Sequence, residues 1–62
     1  MQRLLSKREV EIIDLIKQGQ SSREIGLHLC ITLKTVEVHR HNILKKLNLK
    51  NTAALVNFIN NA

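Results

Sequence analysis

Gly19-Gln20-Ser21-Ser22-Arg23-Glu24-Ile25-Gly26-Leu27-His28-Leu29-Cys30-Ile31-Thr32-Leu33-Lys34-Thr35-Val36-Glu37-Val38-His39-Arg40 is the stretch that decides the fold. Ser21 and Glu24 are spaced as a capping box, in which each side chain satisfies the other's backbone N–H at a helix start. The short helix they open carries Ile25 and Leu29 inward. Gly26 inside it costs about 1 kcal/mol relative to Ala, and the expected return is close approach of another helix backbone. Gly19, just upstream, reads as the left-handed cap of a preceding helix. Cys30-Ile31-Thr32 forms a break, with Thr32 as N-cap of a third helix. That helix runs from Leu33 to about Leu47, with Val36, Ile43 and Leu47 on one stripe and Leu33 and Leu44 on its flank. A short helix, a tight turn and a longer helix make the helix-turn-helix pattern, here over about residues 21–40.

Upstream, Ser6-Lys7-Arg8-Glu9 is a second capping box, and Leu5 and Val10 stand at the positions of a hydrophobic staple. Val10, Ile13 and Ile16 follow at helical spacing, and Ile12 and Leu15 widen the apolar face. Downstream, Asn48–Asn51 is a polar connector interrupted by Leu49. Asn51 can cap a fourth helix in which Leu55, Phe58 and Ile59 share a face. Strand signals are weak, with no sustained alternation and no Asn-Gly hairpin. The expected fold is all-α, with four helices over about 6–18, 22–29, 33–47 and 52–60.

At 62 residues the chain allows one small domain, residues 1–62, of marginal stability. Its apolar content of 44% suits a folded domain rather than a disordered tail. The single cysteine excludes an internal disulfide. No apolar run approaches the roughly 20 residues of a membrane span, and no signal-peptide core follows the start. A cytoplasmic, reducing location with no membrane partner is therefore expected. The net charge of +5 is uneven: residues 1–32 carry +1 and residues 33–62 carry +4, from Lys34, Arg40, Lys45, Lys46 and Lys50 against Glu37. A cationic excess in one element suits a polyanion, although charge also promotes solubility whatever the function.

On a helical wheel, Lys34, Val38, His41 and Lys45 lie opposite the core stripe of the third helix, with Thr35, Asn42 and Glu37 at the edges. A helix entering a DNA major groove needs this mixture. Cations bind phosphates, polar tips read base edges, and an apolar group touches a thymine methyl. Val38 also reads as an isolated surface apolar residue. Glu37 either accepts from a cytosine amino group or pairs with His41 one turn on, and the latter is favoured. Arg40 lies close to the core stripe, its stem across apolar surface and its head at the rim.

Three ordered segments resemble the LuxR-type (GerE-type) helix-turn-helix domain of bacterial transcription regulators. Leu5-Ser6-Lys7-Arg8-Glu9-Val10-Glu11-Ile12-Ile13 is similar to L-[ST]-x-R-E-x-E followed by aliphatics. Gly19-Gln20-Ser21-Ser22-Arg23-Glu24-Ile25-Gly26 is similar to G-x-[ST]-x-x-E-I-[AG]. Ile31-Thr32-Leu33-Lys34-Thr35-Val36-Glu37-Val38-His39 is similar to I-[ST]-x-x-T-V-x-x-H, and Asn42-Ile43 through Lys46-Leu47 completes it. The likeness spans about residues 5–56, and the Thr35–Arg40 string is similar to that of response regulators with a phosphorylated receiver domain. Two departures stand out. Glu37 occupies a position where many members carry a base-contacting Lys, and Thr52 replaces the Arg usual after the connector.

The resemblance implies sequence-specific binding of double-stranded DNA, with the third helix as the recognition helix. Glu37, Val38 and His41 match base-facing positions. Lys34, Thr35, Arg40 and Lys45 are candidates for the phosphate backbone, as are Ser21 and Ser22, whose amides face a phosphate at a helix N-terminus. The fourth helix would make a homodimer contact on DNA, with Val56 and Asn60 as interface candidates. RNA polymerase is a further candidate partner. A receiver or ligand-binding domain would have been removed or would act in trans.

Catalysis has little support, with no carboxylate pair in an apolar setting, no phosphate loop and no nucleophile elbow. His28, Cys30, His39 and His41 do not follow zinc-site spacing, so no metal and no cofactor are expected. Cys30 is expected to bury beside the turn and His39 to hydrogen-bond at the helix edge. The competing class is a protein-interaction module of antiactivator type. Salt separates the two, since counterion release gives DNA binding a steep salt slope that an apolar groove lacks. Region 4 of sigma factors shares an R-E-x-E opening and a T-V helix but lacks the His39 pattern and this fourth helix.

Overall fold

Short-range polar contacts set where each helix starts. The computed structural model describes residues 5–61. The Glu9 N–H donates to the Ser6 hydroxyl at 3.1 Å, and the Ser6 N–H donates to the Glu9 carboxylate at 2.8 Å, opening α1 at Lys7–Lys17. Ser21 and Glu24 repeat the arrangement and open α2 at Ser22–Leu29. Thr32 accepts from the Thr35 N–H ahead of α3, Leu33–Leu47. Asn51 accepts from the Ala54 N–H ahead of α4, Thr52–Asn60. Three left-handed residues reverse the chain between helices: Gly19 at φ +87°, Cys30 at 61° and Asn48 at 58°. Among the described residues the fold is all-α, and the four helices fall where the caps predict.

Each helix contributes to one core. Ile12, Leu15 and Ile16 of α1, Ile25 of α2, Val36 and Ile43 of α3 and Leu55 of α4 are buried together. Ile13, Leu29, Ile31, Leu44, Leu47, Leu49 and Ile59 pack on them as partly covered neighbours. The helix α3 touches all three others, so its orientation is held from several sides.

Val10 is exposed rather than on the core face of α1. The stripe centres on Ile12 and Ile16, which puts Val10 about 140° away. Phe58, expected on the apolar face of α4, and Leu33, expected on the flank of the α3 stripe, are about half exposed, because Leu55 with Ile59 and Val36 with Ile43 take the facing positions. Cys30 is exposed, since as the left-handed cap it lies beyond the last turn of α2. Gly26 makes its close approach to the turn rather than to a helix in mid-course. A Cβ there would lie 2.9 Å from the Ile31 carbonyl oxygen, 3.5 Å from Val36 Cγ2 and 3.8 Å from the Leu33 nitrogen. A side chain would therefore push the turn away and tilt α3.

One ion pair ties α3 to α1. Lys46 Nζ lies 2.8 Å from Glu9 Oε1, the same oxygen that caps Ser6. Glu9 is buried, at 4% exposure, although it is charged. Burial is the largest single influence on its carboxyl and raises its pKa. The bond from Lys46, the bonds from Ser6 and the Lys46 charge together outweigh burial and hold it below the ordinary 4.5.

Candidate nucleic-acid interface

With Val36 and Ile43 turned into the core, the other side of α3 faces water. Lys34, Glu37, Val38, His41, Asn42 and Lys45 are all exposed, at the three- and four-residue spacing that aligns side chains on one helix face. From Lys34 to Lys45 this strip is about 16 Å long. Val38 is 51% exposed in its midst, an aliphatic group held in water by its helix. The strip carries the cations, polar tips and methyl groups that groove recognition uses.

The pairing expected between Glu37 and His41 is absent. The ion pairs among the described residues are Arg8 with Glu11, at 3.4 Å, and Lys46 with Glu9. Both side chains instead stand in solvent. His39 is half-buried without the hydrogen bond expected of it among the described residues.

The phosphate candidates divide by what already occupies their polar atoms. Lys34 and Lys45 are exposed and unpaired among the described residues. The Thr35 hydroxyl lies 2.9 Å from that of Thr32, within the α3 cap. Ser21 donates its N–H to Glu24 and accepts with its hydroxyl, so its polar atoms are engaged in the cap. Ser22 and Arg40, 18 positions apart, meet: Arg40 Nη1 donates to Ser22 Oγ at 2.6 Å. Neither this contact nor the Glu9–Lys46 pair is visible in the spacing of the chain. The only local hint is an Arg placed beside an apolar stripe.

On α4, Val56 and Asn60 are exposed on a flank separate from buried Leu55, and α4 packs on α1 and α3. Among the described residues no three His, Cys, Asp or Glu side chains converge as metal ligands. No described helix is long and apolar enough to cross a membrane.

A short capped helix, a left-handed turn and a longer helix with a cationic outer face define a helix-turn-helix domain. The family described as bacterial regulatory proteins, luxR family, matches residues 3–59, and the chain belongs to it. The chain is similar to the oxygen regulatory protein NreC of Staphylococcus carnosus, 48% identical over 56 residues, covering 90% of this chain and 26% of that protein. It is similar to the transcriptional regulatory protein TdiR of Thauera aromatica, 51% identical over 55 residues, covering 89% and 24%. NreC of Staphylococcus epidermidis is 45% identical over 56 residues, with 90% and 26% covered. The chain thus spans about a quarter of the length of these curated relatives. It is a DNA-binding domain of the transcription-regulator type.

Proposed function

We propose that residues 1–62 act as the output domain of a bacterial response regulator, binding double-stranded DNA at specific sequences in the cytoplasm. The helix-turn-helix motif spans about residues 21–40, and α3 lies in the major groove. Glu37, Val38 and His41 face base edges, with Val38 toward a thymine methyl and Glu37 toward a cytosine amino group. Lys34, Thr35, Arg40 and Lys45 hold the flanking phosphates, with Ser22 at the start of α2, while Ser21, whose amide and hydroxyl are taken up by Glu24, serves as the cap that orients it. Val56 and Asn60 of α4 join two copies over paired half-sites, and RNA polymerase is the further partner. The observation that carries this reading is exposed Val38 among exposed cations on a helix whose other side is locked into the core.

Two substitutions test it. Lys45→Ala should weaken binding to all duplexes and lower the salt slope by about one, because it removes one phosphate contact. Val38→Ala should alter preference at one base pair by about 1 kcal/mol, read by selection from a random duplex library. Affinity unmoved by either change, on every duplex, would refute the assignment of this face. Binding with a shallow salt slope to a protein instead would favour the interaction-module reading.

A further inference from the structure

We propose that Ser22 is a positioning residue that holds the Arg40 guanidinium as a preformed phosphate clamp between α2 and α3. The inference rests on the DNA-binding reading and adds a division of labour that the reading does not contain. Arg40 is half-buried, and its Nη1 donates to Ser22 Oγ at 2.6 Å, the one polar side-chain bond between α2 and α3 among the described residues. The bond fixes a long side chain that would otherwise sample many rotamers. Its charge is not neutralised. Neither ion pair among the described residues involves Arg40, and Glu37, one turn away on α3, does not pair with it.

The donor inventory shows what the pair can take. A guanidinium has five N–H donors, and Ser22 occupies one. Ser22 also begins α2, where its amide and that of Arg23 precede the first intrahelical bond. The amides of Glu24 and Ile25 are already accepted, by Ser21 Oγ and the Ser21 carbonyl. Guanidinium N–H groups and free amides therefore meet at one spot, all donors, around a fixed positive charge, while the Ser22 hydroxyl serves to hold the guanidinium. Tetrahedral phosphate oxygens suit that donor set, and Arg presents its fork to them bidentately. Because the spot joins the N-terminus of α2 to the edge of the exposed α3 strip, the phosphate bound belongs to the backbone bordering the groove.

A backbone contact is independent of sequence, so any mixed-sequence duplex of about 24 base pairs serves as probe, titrated between about 50 and 200 mM salt. Arg40→Ala should weaken binding about tenfold at the low end and reduce the log–log salt slope by about one. Ser22→Ala keeps every charge and should still weaken binding about fivefold. In the Arg40→Ala background the same change should matter less than twofold, because its effect passes through Arg40. Ser22→Thr, which keeps the hydroxyl, should restore affinity. Full multiplication of the two effects would overturn the proposal, as would a Ser22→Ala protein with lowered melting temperature but native affinity. An unchanged salt slope in Arg40→Ala would overturn it too. In each of these cases salt-dependent binding by the unaltered chain, weakened by Lys45→Ala, leaves the DNA reading standing. Absence of salt-dependent binding by the unaltered chain would remove both.

Discussion

Gly26 and Cys30 sit four residues apart and show opposite relations between residue type and backbone. Gly26 has ordinary helical geometry but no room, since an added Cβ meets the Ile31 carbonyl at 2.9 Å. Cys30 has room but the wrong geometry, a left-handed φ of 61° on an exposed side chain. Left-handed backbone costs a non-glycine residue roughly 1–2 kcal/mol. Cys30→Gly should therefore raise stability by about 1 kcal/mol, or roughly 4–8 °C in Tm for a domain of this size. Gly26→Ala gains about 1 kcal/mol of helix propensity and loses roughly 1–3 kcal/mol to overpacking against backbone, so its Tm should fall. Thermal melts of the two variants check the pair. A rise in both would mean that the turn carbonyl yields freely.

At the scale of elements, Glu9 joins the start of α1 to the end of α3 through a single oxygen. That Oε1 accepts from the Ser6 N–H and from Lys46 Nζ, each at 2.8 Å. Glu9→Gln should cost about 1–2 kcal/mol, since the cap can persist while the charge-assisted bond weakens. The pH dependence has a definite sign. The folded-state pKa of Glu9 is lowered, so its contribution is fully present above the ordinary 4.5 and is lost as pH falls through the lowered value. Urea melts of the native chain and the Gln variant should therefore differ at pH 7 and converge in strong acid. A constant difference across that range would show that the carboxylate charge is irrelevant. This contact also links stability to the interface, because Lys46 follows directly after Lys45 of the exposed strip.

At the scale of the molecule, the +5 charge is concentrated where α3 presents it. One helix thus carries both the core's central packing and the cationic face. Pairing of two copies, proposed through α4, belongs to this scale too. Val56 is 37% exposed, so Val56→Asp should leave the fold intact. On duplexes selected from a random library it should reduce binding to paired half-sites about tenfold or more while leaving single half-sites within about twofold. Gel-shift titration separates the two complexes. Equal loss on both duplexes would place Val56 in the fold rather than between copies.

Caps and turns were legible because they are local. Ser6 with Glu9, Ser21 with Glu24, Thr32 and Asn51 each act within three residues, so spacing along the chain is nearly the whole of their geometry. The outward strip of α3 was legible for the same reason, as helical periodicity sets which residues lie opposite Val36 and Ile43. Val10, Leu33 and Phe58 were not. An apolar residue on the flank of a stripe is buried only if a neighbouring helix reaches it, and interhelical angles are not written in any one segment. By itself, the sequence determined the number, limits and amphipathic faces of the helices. Only the tertiary structure decided that Arg40 would meet Ser22 and Lys46 would meet Glu9, because contacts across 18 and 37 residues depend on how packed cores orient whole helices.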